Sequence, residues 1–193
     1  MDLLAIGRST LRQEARAVAD LAEQLEATFV QTVELLVGCR GHVVVSGVGT
    51  TGMVGRRLAH LLCCAGCPSL FLHSGDSLHG SSAALRPDDV LVLLSRTGET
   101  SESVQLAEIV RERGVAVVTL TARPDSRLGR LSSVILQVET PVEVDPFGGA
   151  MSLGSSLTMA AMGDALVATV LEVKGTPKQA FIRSHPGGIA STM

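Results

Sequence analysis

Runs of consecutive apolar residues alternate along this chain with segments in which apolar residues recur every three to four positions. A continuous apolar run is typical of a strand covered on both faces, and the three-to-four spacing is typical of a helix with one buried face. Five such runs predict strands, at residues 43–46, 69–73, 89–94, 115–121 and 133–139.

The helical spacing predicts one long helix over residues 9–37, where Leu11, Val18 and Leu25 share a face. Three more long helices are expected at 53–64, 101–113 and 152–173, with short helices near Leu128 and after Pro177. The segment 152–173 is apolar nearly all round, which predicts burial in the core or in an oligomer interface.

Strands that alternate with helices predict an α/β fold, a three-layer α-β-α sandwich with a five-stranded parallel sheet and right-handed crossovers. The length of 193 residues favours a single domain. We expect residues 1–40 to form an N-terminal helical segment that packs on the domain or on a partner subunit, and residues 41–193 to form the domain itself.

Two loops rich in hydroxyl groups follow predicted strands and lead into predicted helices. They are Ser95–Ser101 and Gly47–Gly52. Such a loop offers Ser and Thr oxygens together with free backbone N–H groups at a helix N-terminus, where the helix dipole favours an anion. We therefore expect one ligand, a small molecule carrying a phosphate, at the carboxyl ends of the strands.

Composition disfavours several classes of partner. The net charge is −3, aromatic residues make up 2%, and Trp and Tyr are absent, so a nucleic-acid surface is not expected. No uninterrupted apolar stretch reaches about 18 residues, which disfavours a membrane span. The N-terminus lacks the basic flank and apolar region of a signal peptide, so a cytoplasmic location is expected.

The cysteines Cys64 and Cys67 have the spacing of a redox motif. A redox pair of that kind opens a helix, whereas this pair closes one, so we interpret these cysteines as small packing residues. A metal site would need more ligands, and only His60 and His73 are close in sequence; no metal is predicted.

Six short motifs resemble the sugar isomerase (SIS) domain family, and within it the isomerase domain of arabinose-5-phosphate isomerases. They are Val45–Gly49, Leu78–Gly80, Ser95–Thr100, Val142–Phe147, Met162–Leu166 and Ser184–Gly188. The resemblance runs from about Gly41 to Gly188. It implies a flavodoxin- or Rossmann-like sheet, a sugar phosphate as ligand, a homo-oligomer (dimer or tetramer), and aldose–ketose isomerisation through a cis-enediol without metal or redox cofactor.

The resemblance also implies roles for individual residues. Glu143 would be the base that moves a proton between C1 and C2, His185 would open the sugar ring, and Glu99 would assist. In SIS proteins this histidine commonly reaches the site of a neighbouring subunit. The residues expected to bind the phosphate or the sugar are Gly49, Thr50, Thr51, His79, Ser95, Arg96, Thr97, Gly98 and Thr100.

The chain departs from the isomerase pattern at Thr50, where the isomerases usually have Lys, and at Ser81, where they usually have Asp. Many relatives also continue into a pair of CBS modules; this chain stops at Met193, so their regulation is not expected. The alternatives are a phosphosugar sensor without turnover, an isomerase for another sugar such as hexulose 6-phosphate, and an etherase-type lyase acting on an N-acetylmuramic acid phosphate.

Overall fold

The predicted parallel sheet is confirmed by the structure, a computed structural model that describes residues 1–187. Five parallel strands lie in the order β2-β1-β3-β4-β5. Their bounds are β1 Val43–Gly47, β2 Ser69–Phe71, β3 Val90–Leu94, β4 Ala116–Thr121 and β5 Val134–Gln137. The edge strand β2 is two residues shorter than the predicted 69–73 run.

Helices cover both faces of the sheet. Their bounds are α1 Leu3–Asp20, α2 Ala27–Gly38, α3 Gly49–Cys64, α4 Ser74–Ser77, α5 Ser101–Arg111, α6 Arg127–Leu131, α7 Pro146–Gly149, α8 Gly154–Lys174 and α9 Lys178–Ser184. Helices α2, α3 and α8 share one apolar core with one face of the sheet, and α5 and α6 share a second core with the other face.

The central strands divide their side chains between these two cores. Val43 and Val45 of β1 pack into the core beneath α3 and α8, while Val44 between them packs into the core beneath α5. All five residues of β1 and all five of β3 are buried. Burial on both faces explains why these strands are continuous apolar runs in the sequence.

The prediction of one helix over residues 9–37 is wrong. Helix α1 ends at Asp20, a 3-10 turn occupies Leu21–Gln24, and α2 starts at Ala27. The break is held by the Gln24 side chain, whose amide donates to the Glu139 carbonyl at 3.0 Å and whose oxygen accepts from the Glu139 N–H at 2.8 Å. The apolar periodicity continues across this turn, so it carries no sign of the break.

Helix α8 is buried in the core along one face, and burial of its other face in an oligomer interface stays a prediction. One face, which includes Met159, Met162 and Leu166, is fully enclosed, whereas Leu157 and Val173 on the other side are exposed. At 21 residues and a mean hydropathy of 1.4 in its most apolar window, α8 is long and apolar enough to cross a membrane. Its packing against α2 and α3 is that of a core helix.

The N-terminal helix α1 packs on α8 and on the short 3-10 turn Val142–Val144. Its first half presents an apolar stripe to solvent, formed by Leu3, Leu4, Ile6 and Leu11. The rest of the N-terminal segment joins the main core, because Leu21, Val33 and Leu36 are buried there.

Candidate functional site

The two hydroxyl loops emerge side by side. Strand β1 pairs with β3 so that Gly47 lies opposite Leu94, the last residue of each strand. The chain passes through the edge strand β2 between them, which makes the β1/β3 boundary the point where the strand order reverses. Open α/β sheets bind ligands in the crevice at this boundary, outside the carboxyl ends of the strands.

The second loop is ordered by its own hydroxyl groups. Ser95 is buried, and its Oγ lies 3.0 Å from Oγ1 of Thr100 and accepts the Gly98 N–H at 3.1 Å. Thr97 Oγ1 accepts the Glu99 N–H at 3.3 Å, and Thr97 itself is exposed. The 11-residue helix α5 starts at Ser101, directly after this loop, so the free N–H groups of its first turn lie next to the loop.

Gly98 cannot carry a side chain in this loop. Its φ is +67°, in the left-handed region, and a Cβ built there would lie 1.9 Å from Oγ of Ser126. The close approach lets Glu99 reach the neighbouring helix, where Glu99 Oε1 accepts the Arg127 N–H at 2.9 Å. Glu99 therefore caps α6 in this structure, a contact that its position in the motif does not reveal.

The first loop turns at Gly49, whose φ is +59°. Helix α3 starts there, four residues earlier than the predicted residue 53, so Thr50 and Thr51 belong to its first turn. Thr51 Oγ1 donates to the Val48 carbonyl at 2.9 Å, while Thr50 is exposed. His79 lies on the surface after α4.

A buried chain of hydroxyl groups runs behind the two loops. Ser46 at the end of β1 lies 2.8 Å from Ser74, and Ser74 lies 3.0 Å from Ser103 in the first turn of α5, all measured between Oγ atoms. All three residues have no exposed surface. These two hydrogen bonds fix the position of α5 relative to β1.

Arg96 is fixed by an acidic residue to which sequence reasoning gave no role. Arg96 Nη1 lies 3.4 Å from Oδ2 of Asp145, whose side chain is only 2% exposed. Oδ1 of Asp145 accepts the N–H groups of Leu153 and Ser155 at 2.8 and 3.0 Å. One buried carboxylate thus joins the hydroxyl loop to the N-terminus of α8.

Ser155 is a second residue that sequence reasoning missed. Within residues 1–187, its Oγ is buried and has no hydrogen-bond partner. It lines a cavity of about 330 Å³ whose wall is formed by Arg96, Thr97, Ala122, Arg123, Glu139, Thr140, Val142 and Ser155. An unpartnered buried hydroxyl beside two guanidinium groups suits a ligand rich in oxygen.

A larger cavity, about 440 Å³, lies between the 3-10 turn Leu21–Gln24 and strand β5. Its charged lining consists of the carboxylates Glu23, Glu26 and Glu139. Like charges repel a phosphate, so the smaller cavity beside Arg96 is the better match to an anionic ligand.

Glu143 lies in the 3-10 turn Val142–Val144, whose first residue lines the smaller cavity. Its carboxylate is exposed, although valines flank it on both sides in the sequence. Val144 beside it is buried, and Val142 lines the cavity. The turn therefore contributes Val142 to the cavity that Arg96 and Thr97 line, and the exposed Glu143 is the next residue in the chain.

His185 lies at the other end of the molecule. Its Nε2 is 3.5 Å from Sγ of Cys64, the last residue of α3, whereas the hydroxyl loop Gly47–Gly52 is at the start of that helix. Sixteen helical residues span about 24 Å. The structure thus does not bring His185 to the loops of its own chain. Gly188, the last residue of the tail motif, lies outside the described residues.

The thiols of the Cys64–Cys67 pair are free. Burial raises the pKa of both thiols, which disfavours the reactive thiolate form. Cys67 is buried in the core with its Sγ directed at the Leu36 carbonyl, as a packing residue is. Cys64 is only half-buried and has His60 and His185 beside it.

Comparison with known proteins decides the family. The model of the SIS domain matches residues 35–169, which is more than half of the chain. The chain belongs to the SIS domain family. This SIS protein is 34% identical to arabinose 5-phosphate isomerase KdsD of Escherichia coli (strain K12), over 97% of its own length. The chain spans 57% of the length of that relative.

Two solved structures resemble this SIS protein along nearly the whole chain. One is a candidate sugar-phosphate isomerase from Listeria monocytogenes, with a TM-score of 0.91 and 31% identity over 97% of this chain and 100% of that one. The other is the c3406 protein of Escherichia coli CFT073 in complex with A5P. It has a TM-score of 0.91 and 28% identity, over 96% of this chain and 98% of that one.

Proposed function

We propose that this SIS protein is an aldose–ketose isomerase of the arabinose-5-phosphate type, which interconverts ribulose 5-phosphate and arabinose 5-phosphate. The observation that carries the proposal is that Arg96 and Thr97 of the Ser95–Thr100 loop line one cavity together with Val142, the residue before Glu143 in the 3-10 turn. The relatives support the same chemistry, since one bears the name of that activity and a solved neighbour holds A5P.

The phosphate would be bound by the hydroxyl loop. Ser95 and Thr100 hold the loop in shape through their mutual hydrogen bond, and Thr97 is exposed to the ligand. The first turn of α5 supplies N–H groups and the positive end of its dipole. Arg96, held by Asp145, adds a fixed positive charge.

Glu143 would carry the proton between carbons. As general base, its carboxylate takes the C2 proton of the open aldose, which leaves the anion of a cis-enediol, and then returns that proton to C1. The O2 proton moves to O1, so atoms and charge balance.

His185 would open the sugar ring in a neighbouring subunit. It lies about one helix length from the loops of its own chain, so it serves such a site only in a homo-oligomer. The apolar stripe Leu3, Leu4, Ile6 and Leu11 on α1 and the exposed apolar side chains of α8 offer surface for such an assembly.

The test is turnover of arabinose 5-phosphate by the purified chain, followed by NMR as ribulose 5-phosphate appears. Glu143→Gln is expected to lower kcat by about 10²–10⁴ while thermal stabilisation by the sugar phosphate persists. Glu139→Gln is the matched control, because Glu139 is a carboxylate that lines the cavity and has no assigned role; this variant should retain most of the activity. An active Glu143→Gln variant would remove this residue from the role.

Subunit mixing tests the part of His185. Glu143→Gln and His185→Ala are each expected to be inactive, whereas co-refolded mixtures should recover activity, because some sites then receive Glu143 from one subunit and His185 from another. Mixtures as inactive as the parents would place both groups in one chain. A sugar phosphate that binds and is never converted by the wild-type chain would favour the sensor alternative.

A further inference from the structure

Three potential metal ligands meet at the end of α3 that is remote from the hydroxyl loops. His60 and Cys64 are four residues apart on the helix, so they share one face. His185 approaches them from the end of α9. One ligand atom from each of the three residues lies within 4.8 Å of the other two.

The distances match those of a tetrahedral zinc site. Cys64 Sγ lies 3.7 Å from Nε2 of His60 and 3.5 Å from Nε2 of His185. With Zn–S near 2.3 Å and Zn–N near 2.0–2.1 Å, tetrahedral geometry places S and N about 3.6 Å apart. The two imidazole nitrogens lie within 4.8 Å of each other and would have to come to about 3.4 Å; His60 is exposed and can rotate to do so.

The tautomer of His185 is already set for a metal. Its Nδ1 donates to the Phe181 carbonyl at 2.8 Å and lies 3.0 Å from Oγ of Ser184. With the proton on Nδ1, the lone pair of Nε2 points toward Cys64. Metal-bound histidines are generally oriented in this way, by a hydrogen bond from the second ring nitrogen to a backbone carbonyl or a carboxylate.

We propose that His60, Cys64 and His185 bind a thiophilic divalent cation, Zn²⁺ above all. The set of two imidazoles and one thiol suits zinc rather than magnesium or calcium, which take oxygen ligands. Binding displaces the thiol proton of Cys64 to solvent. The fourth position is filled by water, since His60 leaves the solvent side of the cluster open.

Binding there would also withdraw His185 from catalysis. This consequence rests on the proposed function, because the same Nε2 cannot both ligate zinc and exchange protons with a sugar. Zinc would therefore inhibit the isomerase, and a chelator would restore it. Cys64→Ser and His60→Ala enzymes should keep their activity and lose the zinc sensitivity.

The direct test uses the full chain and the metal alone. Co²⁺ titrated into the reduced protein should give one equivalent of binding, with the sulfur-to-cobalt charge-transfer band of a thiolate ligand. Zn²⁺ should displace the Co²⁺. Cys64→Ser should abolish the band, and His60→Ala should weaken Zn²⁺ binding by more than the ~10–100-fold loss that follows removal of a group hydrogen-bonded to a ligand.

Cys63→Ser is the matched control. Cys63 is exposed, neighbours Cys64 on α3 and directs its Sγ to the Ser69 carbonyl at 2.9 Å, away from the cluster; this variant should bind as the wild type does. Retention of the thiolate band in Cys64→Ser, or its loss in Cys63→Ser, would overturn the proposal. If the protein binds zinc and converts no sugar phosphate, the proposed function is wrong and the metal site is still supported.

Discussion

Replacement of Asp145 by alanine should destabilise this protein more than any other single change of a charged side chain at the site. The Asp145 carboxylate accepts the N–H groups of Leu153 and Ser155 and pairs with Arg96. Alanine removes all three contacts at once, and at 4% exposure the position admits little water to replace them.

The magnitude follows from the contacts. Loss of one partner from a buried ion pair costs about 3–5 kcal/mol. The Arg96 side chain is 32% exposed and can turn to water, so the lower end, about 3 kcal/mol, is expected for Asp145→Ala. Asp145→Asn keeps an oxygen for both N–H groups and loses the charge, which should cost about 2 kcal/mol since charge-assisted hydrogen bonds are roughly twice as strong as neutral ones.

The assay is urea unfolding, with all variants at the same chain concentration because an oligomer makes apparent stability concentration-dependent. Asp164→Ala is the control: Asp164 forms a bidentate pair with Arg57 at 2.6 and 3.0 Å, but both side chains are about half exposed, so less than about 1 kcal/mol is expected. An Asp145→Ala variant no less stable than Asp164→Ala would refute the assignment of Asp145 as the link between the loop and α8.

Two further predictions concern backbone strain and thiol burial. Gly98→Ala should lose phosphate-induced thermal stabilisation and unfold more readily than Gly114→Ala, because both have positive φ but only a Cβ at Gly98 would collide with Ser126; equal losses would show that the clash is relieved. Burial raises the pKa of Cys67 above its ordinary 9.0, so the folded chain should keep Cys67 unalkylated at neutral pH while Cys63 reacts, as peptide mass mapping would show. Stability should also fall as pH rises through that value, since the unfolded chain then releases a proton that the folded chain retains; stability that is flat in that range would contradict this.

The strands and the two loops could be predicted because their signals are local. A strand buried on both faces must be apolar throughout, and Val43–Val45 and Val90–Leu94 are so in the sequence and in the structure. The loops follow directly from the strand ends. The break near Gln24 could not be predicted in this way, because it depends on hydrogen bonds to Glu139, 115 residues away in the chain.

The polar contacts that complete the site are of the same long-range kind. Asp145 occurs in a recognised motif, yet nothing local states that its carboxylate reaches Arg96, 49 residues earlier. The available signal was an acidic residue directly before Pro146 and ahead of a long helix, a position suited to capping that helix. Ser155 could not be predicted from the sequence, because whether a hydroxyl group is buried without a partner depends on the residues that fold around it.

His185 shows how much the meaning of a residue depends on that long-range geometry. In sequence it is a motif histidine, and Cys64 is half of a C-x-x-C pattern whose remaining ligands for a metal were missing. Folding brings the two within 3.5 Å across a separation of 121 residues, so that His185 becomes the third ligand beside Cys64 and His60, which are already neighbours on α3. Because the same Nε2 would serve a sugar in one subunit and a zinc ion at its own α3, the two ligands would compete for it, and zinc bound at α3 would lower turnover.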